Sequence, residues 1–320
     1  MTSRELVART IRGENPGRTP VYGWVEENLR ERISAEFGSV RNFEDHYEYD
    51  MAHIFGGPDP YPKEIAALRD AGEEITPAVL LSYPLASPDD MTCYEDIKKA
   101  LAFHRSRDRF CYMQTNGIFE CLNNPFGIEN HLAYMAMYPD HIAEAYRRQA
   151  EWSRRFALNV LELGMDMVHI SDDWGAQNAL MFSPAMWRRL IYDNHKLIID
   201  AVKGAGGFVS LHSDGCITPV LEGVRELGYD LLHPWQESAG MSYGLYLDNY
   251  RNDFAIMGGL CIQTLLGFGD YGRLEREIRR VFGLLKGARW ICCTTHYVQE
   301  HCTLDELKFA YDLVVKLART

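Results

Sequence analysis

From about residue 130 to the C-terminus, stretches with helical periodicity alternate with short apolar runs, each set off by Gly, Pro, Ser or Asp. An apolar run too short for a helix, recurring after each helix, reads as a buried strand of a βα unit. Five such strands are expected at 165–170, 208–211, 229–232, 254–257 and 290–294. The helix after Tyr138-Pro139-Asp140 buries Ile142, Ala145, Trp152, Phe156, Val160 and Leu163 along one face. A helix from Ser183-Pro184 carries an apolar side to Val202, and the last helix opens on a capping box from Thr303 to Glu306. Weaker strands are expected at 21–25, 49–55, 78–81 and 110–114. Eight or so strands in βα order imply a parallel sheet, and a closed (β/α)8 TIM barrel is the economical form. An open doubly wound sheet would carry GxGxxG near its first strand, and the sequence has none there.

A chain of 320 residues suffices for one barrel, so residues 1–320 are expected to form a single domain with 1–20 as an N-terminal extension. Acids outnumber bases, 45 to 33. The clustered Arg147, Arg148, Arg154 and Arg155 fall at helix-surface spacing, so nucleic acid is not an expected partner. The longest apolar stretches, such as 132–138, fall far short of the roughly 20 residues that cross a bilayer. The N-terminus carries no apolar signal-peptide core, so a cytoplasmic protein without membrane contact is expected. Eight cysteines without a CxxC motif read as reduced thiols; Cys216, Cys292 and Cys293 are expected in the core or at helix starts.

Barrel chemistry sits where strands end. Those positions hold Asp172, Asp173 and Trp174, then His212 and Asp214, then His233 and Gln236, and finally His296. Asp172 or Asp173 reads equally as a turn cap, and His233 before Pro234 reads as a hydrogen-bonded structural histidine ahead of a ligand. A His-x-Asp pair at a strand end points both side chains to one side, and with His296 it makes a donor set suited to zinc or ferrous iron. Glu120, Glu26 and Glu27 lie near earlier strand ends, where a solvated position is the plain alternative.

These residues are where the sequence resembles the uroporphyrinogen decarboxylase superfamily, including its corrinoid-linked methyltransferase branch. The resemblance rests on Gly117-Ile-Phe-Glu120, Gly127-Ile-Glu-Asn130, Asp172-Asp-Trp-Gly-Ala-Gln177 followed by Ser183-Pro184, Leu211-His-Ser-Asp-Gly215, His233-Pro-Trp-Gln236, Gly258-Gly259 and Thr295-His296. It implies a barrel with its active site at the strand C-termini. Decarboxylases of this superfamily meet substrate carboxylates with an Arg-rich N-terminal motif; here Arg18-Thr-Pro-Val-Tyr-Gly-Trp-Val-Glu-Glu27 puts two acids in that region. The methyltransferase branch binds zinc through His-x-Cys and a later Cys. His212 matches the first ligand, Asp214 stands at the first Cys position and His296 at the second, which is also that of the decarboxylase histidine.

The resemblance therefore implies a metal-dependent methyltransferase of a demethylation pathway, with zinc on His212, Asp214 and His296 and with Glu120 or Glu26 completing the shell. Asp172, Asp173 and His296 are the expected catalytic groups, and Trp174, Gln177, His233, Gln236 and Glu120 the expected substrate contacts. The expected partners are a small-molecule substrate, a corrinoid carried by a separate protein, and a second copy of the chain in a homodimer. A metal-free decarboxylase centred on Asp172 or Asp173 and His296, and a non-catalytic corrinoid- or tetrapyrrole-binding barrel, are the alternatives.

Overall fold

A computed structural model describes residues 1–320 except Pro62, and for Glu26 and Glu27 it describes the backbone alone. Among the described residues there are seven strands: β1 (Met51–Ile54), β2 (Phe110–Asn116), β3 (Met167–Ser171), β4 (Phe208–His212), β5 (Leu231–His233), β6 (Ala255–Leu260) and β7 (Trp290–Thr294). Their sheet order is their chain order, and the pairs β2–β3, β3–β4, β5–β6 and β6–β7 are parallel. All five expected C-terminal strands are formed. Among the described residues, no helix is long and apolar enough to cross a membrane.

The chain divides into two compact units, each assembled from separate segments. The first comprises Met1–Ala52, His104–Cys111 and Asp230–Thr320, and so carries β5, β6 and β7. Helix Ser3–Arg12, the expected extension, packs on β6 and β7, burying Leu6, Val7 and Ile11. The expected strand at 21–25 shrinks here to one parallel bridge between Val21 and Cys292. Its ladder stops because Pro20 has no N–H to give and the Trp24 N–H turns to the Thr294 hydroxyl at 2.9 Å. Val21 is held instead by Asp50, whose Oδ2 accepts the Val21 N–H at 2.9 Å while the Asp50 N–H donates to the Val21 carbonyl at 2.9 Å.

The second unit comprises His53–Phe103 and Tyr112–Tyr229. Register pairs Asn116 with Ser171 and Ser171 with His212, so three strand ends stand level. Helix Pro139–Glu162 starts with Pro at its first turn, packs on β3 and helix Tyr192–Gly204, and buries Ile142, Tyr146, Trp152, Phe156 and Val160. Each large apolar side chain taken out of water there contributes about 1.5–3 kcal/mol. Two expectations change. Residues 78–81 are helical, within Pro77–Ser82, because Thr76 caps the Val79 N–H and Pro77 sets the first turn. The helix expected from 184 to 202 breaks at Ile191 into Pro184–Leu190 and Tyr192–Gly204, the first burying Trp187 and the second His195.

Candidate active site

In the second unit the loop after β3 is built on Asp172, which is fully buried. Its Oδ1 accepts the backbone N–H groups of Phe119 at 2.8 Å and Glu120 at 2.7 Å. Its Oδ2 accepts the Trp174 indole N–H at 2.7 Å and His195 Nε2 at 2.7 Å. Tyr229 donates to His195 Nδ1 at 2.5 Å. Four donors occupy both oxygens, so Asp172 positions the chain around it and has no acceptor face left for a reactant. Trp174 corrects the expectation of a substrate contact: it is fully buried, edge-on to Trp187 and His195, with its one polar atom committed to Asp172. Gln177 is exposed.

The loops after β3 and β4 are fastened together. Ser213 accepts the Trp174 N–H at 2.9 Å, Asp173 Oδ1 accepts the Asp214 N–H at 2.7 Å, and the Cys216 N–H donates to the Ala176 carbonyl at 2.9 Å. Glycine makes this approach possible: a Cβ on Gly175 would lie 2.4 Å from the Asp214 carbonyl oxygen, and Gly215 adopts φ 76°. The clamp brings acids together beside an imidazole. His212, at the end of β4 and buried, has Nε2 3.7 Å from Asp173 Oδ1. Glu120 accepts the Ser171 hydroxyl at 2.7 Å, and burial together with the charges of Asp173 and Asp172 pushes its carboxyl up to about 7. Burial, with Asp173 and Glu120 nearby, pushes Asp214 up to about 8. Deeper in the unit, His169 Nδ1 lies 2.6 Å from Ser210 Oγ, with its ring 5.8 Å from that of His212.

In the first unit His233, Gln236 and His296 follow the ends of β5 and β7. His233 is buried and its Nε2 donates to the Thr294 carbonyl at 3.0 Å, the bonding of a structural histidine. Its ring lies 4.4 Å from that of Trp24, which also contacts Tyr297 at 4.6 Å and His296 at 6.2 Å. Gln236 donates to Gln263 Oε1 at 2.7 Å, and Gln299 Nε2 approaches His296 Nδ1 at 3.3 Å. The Glu26 and Glu27 side chains lie outside the described residues. Arg18 is not available to receive an anionic substrate at these loops: it forms a two-pronged ion pair with the buried Asp50 at 2.6 and 2.8 Å. All eight cysteines are free thiols, and Cys292 and Cys293 are buried.

Sequence reading missed His195, Tyr229 and Trp24. His195 had a faint signal, a lone imidazole on the apolar side of the helix that carries Ile198 and Val202. Trp24 had none, because its role appears only once β7 brings Thr294 to its backbone.

No curated protein matches the chain in sequence. Among solved structures, a methyltransferase from Methanosarcina mazei is similar over 98% of this chain and 98% of that one, at 13% identity and a TM-score of 0.69. A B12-independent methionine synthase from Shewanella sp. W3-18-1, in complex with selenomethionine, is similar over 94% and 92% respectively, at 9% identity and a TM-score of 0.54. At such identities the likeness is one of fold, and it agrees with an α/β barrel of the uroporphyrinogen decarboxylase type. The family model for uroporphyrinogen decarboxylase (URO-D) matches residues 123–317, well over half of the chain and including the loops after β3, β4, β5 and β7. The chain belongs to the uroporphyrinogen decarboxylase (URO-D) family.

Proposed function

We propose that this protein is a zinc-dependent methyltransferase that moves a methyl group between a corrinoid, carried by a partner protein, and a small acceptor. The observation that carries the reading is the grouping of His212 and Asp214 around Asp173, a buried imidazole beside crowded carboxyls, a place suited to a dication. The ligand set proposed is His212, Asp214 and His296, the last on its sequence position after β7. Likeness in fold to a methyltransferase supports the reading. When bound, zinc lowers the pKa of an acceptor thiol or hydroxyl.

The protein's own groups do the rest. Glu120, held by the Ser171 hydroxyl, is the carboxylate assigned to accept the acceptor's proton, and Asp173 fixes the Asp214 backbone. Asp172 holds the Phe119 and Glu120 amides in place. Acids at the site and the engagement of Arg18 by Asp50 weigh against an octacarboxylate porphyrinogen.

Metal analysis of the purified protein tests this beside His212→Ala and His296→Ala. About one zinc per chain is expected in the wild type and little in either variant. Wild-type protein without stoichiometric metal overturns the zinc reading, and conversion of uroporphyrinogen to coproporphyrinogen would assign decarboxylation instead.

A further inference from the structure

The first unit contains a cavity of about 690 Å³ at the end of β7 opposite to His296. The stretch from Gly13 to Pro20, the end of helix Tyr271–Leu284, the turn before β7 and the final residues of the chain enclose it. Its volume falls in the range of pockets for small organic ligands, roughly 300–1,000 Å³.

Four cationic side chains and one acidic one line it, Arg18, Arg279, Lys286 and Arg289 against Glu14, with Thr320 at the edge. Three of these charges are already paired, Arg18 with Asp50, Arg279 with Glu275 and Glu14 with Arg9. The other two are not. Arg289 donates to the Asn252 carbonyl at 2.8 Å and to the Ile11 carbonyl, and its buried Nε has no hydrogen-bond partner. Lys286 makes no ion pair among the described residues and is exposed. Asp230 and Asp253 lie near enough to act on the Arg289 charge, while Lys286 has no acidic partner among the described residues, so the concave site keeps a cationic character in a protein of net charge -12. Phe282, half-buried and edge to face at 4.9 Å with the buried Trp290, adds an aromatic wall.

We infer that this cavity binds a small phosphate monoester with a flat ring, the two negative charges matching Lys286 and Arg289 and the ring lying on the aromatic wall. The Arg289 guanidinium, tied to two carbonyls, is held in place before the ligand arrives, so little side-chain entropy is lost on binding. All the residues that line the cavity belong to the first unit.

Calorimetric titration with AMP tests the inference, with adenosine as the uncharged control. The wild type should bind AMP saturably and adenosine at least tenfold more weakly, and added salt should weaken AMP binding. Lys286→Glu should lower AMP affinity at least tenfold. Gly283→Leu should do the same by filling the cavity, because a Cβ at Gly283 meets no atom within 4 Å and the variant has room to fold. His212→Ala should leave AMP binding unchanged. Absence of saturable binding at millimolar AMP, equal binding of adenosine, or unchanged affinity in both Lys286→Glu and Gly283→Leu overturns the inference.

Discussion

His195 Nε2 lies 2.7 Å from Asp172 Oδ2, and both side chains are fully buried. This contact ties helix Tyr192–Gly204 to the loop that carries the candidate site. Replacing one partner of a buried, hydrogen-bonded pair costs about 3–5 kcal/mol, because the other is left without compensation. His195→Ala should therefore lower unfolding free energy by that order in urea titrations. Tyr229→Phe removes only the hydroxyl bonded to Nδ1 and should cost about 1 kcal/mol. Equal losses in the two variants would show that the Asp172 contact is not the dominant one.

The Gly175 clamp should tolerate no side chain. A Cβ there would sit 2.4 Å from the Asp214 carbonyl oxygen and 2.8 Å from the Cys216 nitrogen, both backbone atoms that cannot swing aside. Gly175→Ala should push the β3 and β4 loops apart and cost about 2 kcal/mol or more. Wild-type stability and wild-type metal content in this variant would contradict the close approach.

Asp214→Cys places a soft thiolate where the chain has a carboxylate. Thiolates hold zinc more tightly than carboxylates, so competition with a chromogenic chelator should show at least tenfold slower zinc release. Cobalt(II) substitution supplies a second reading, since a thiolate-to-cobalt charge-transfer band should appear in Asp214→Cys and not in the wild type. A missing band would place residue 214 outside the metal's reach.

Two buried histidines give acid sensitivity. Burial lowers His131 to about 3 and, with Arg109 beside it, His104 to about 4, against an ordinary value of 6.5. As pH falls below 6.5 the unfolded chain takes up protons that the native protein refuses, so these groups' contribution is lost from 6.5 down toward 4 and 3. Glu120 and Asp214, raised in the fold, act with the opposite sign over the same range. Comparison with His131→Phe cancels them. From pH 7 to pH 5 the wild type should lose up to about 2 kcal/mol more than His131→Phe in urea titrations. Parallel pH slopes would refute the assignment.

Legibility followed burial. β3 to β7 are buried almost end to end, and a strand covered on both faces announces itself as a short apolar run between turn residues. Residues 78–81 carry the same apolar signature, and only the Thr76 cap and Pro77 make them helical. At the site, His212 and Asp214 were legible from their place after a strand. The roles of Asp172 and Trp174 were not, because an Asp at a loop start reads alike whether it faces a reactant or the amides of Phe119 and Glu120. That choice is made by residues more than fifty positions away in the sequence.

Asp50 bears on more than the stability of its own ion pair with Arg18. The segment from Pro20 to Tyr22 meets β7 through one bridge, and its other side is fastened to Asp50, whose carboxylate also accepts the Ser3 hydroxyl at 2.6 Å. Trp24, two residues beyond, is the aromatic floor under His233. Native-state hydrogen exchange should find this seam the quickest strand-like segment of the first unit to open, with the Val21 and Tyr22 amides exchanging ahead of those inside β6. Each opening would carry Trp24 away from His233, making the seam a hinge through which the site breathes.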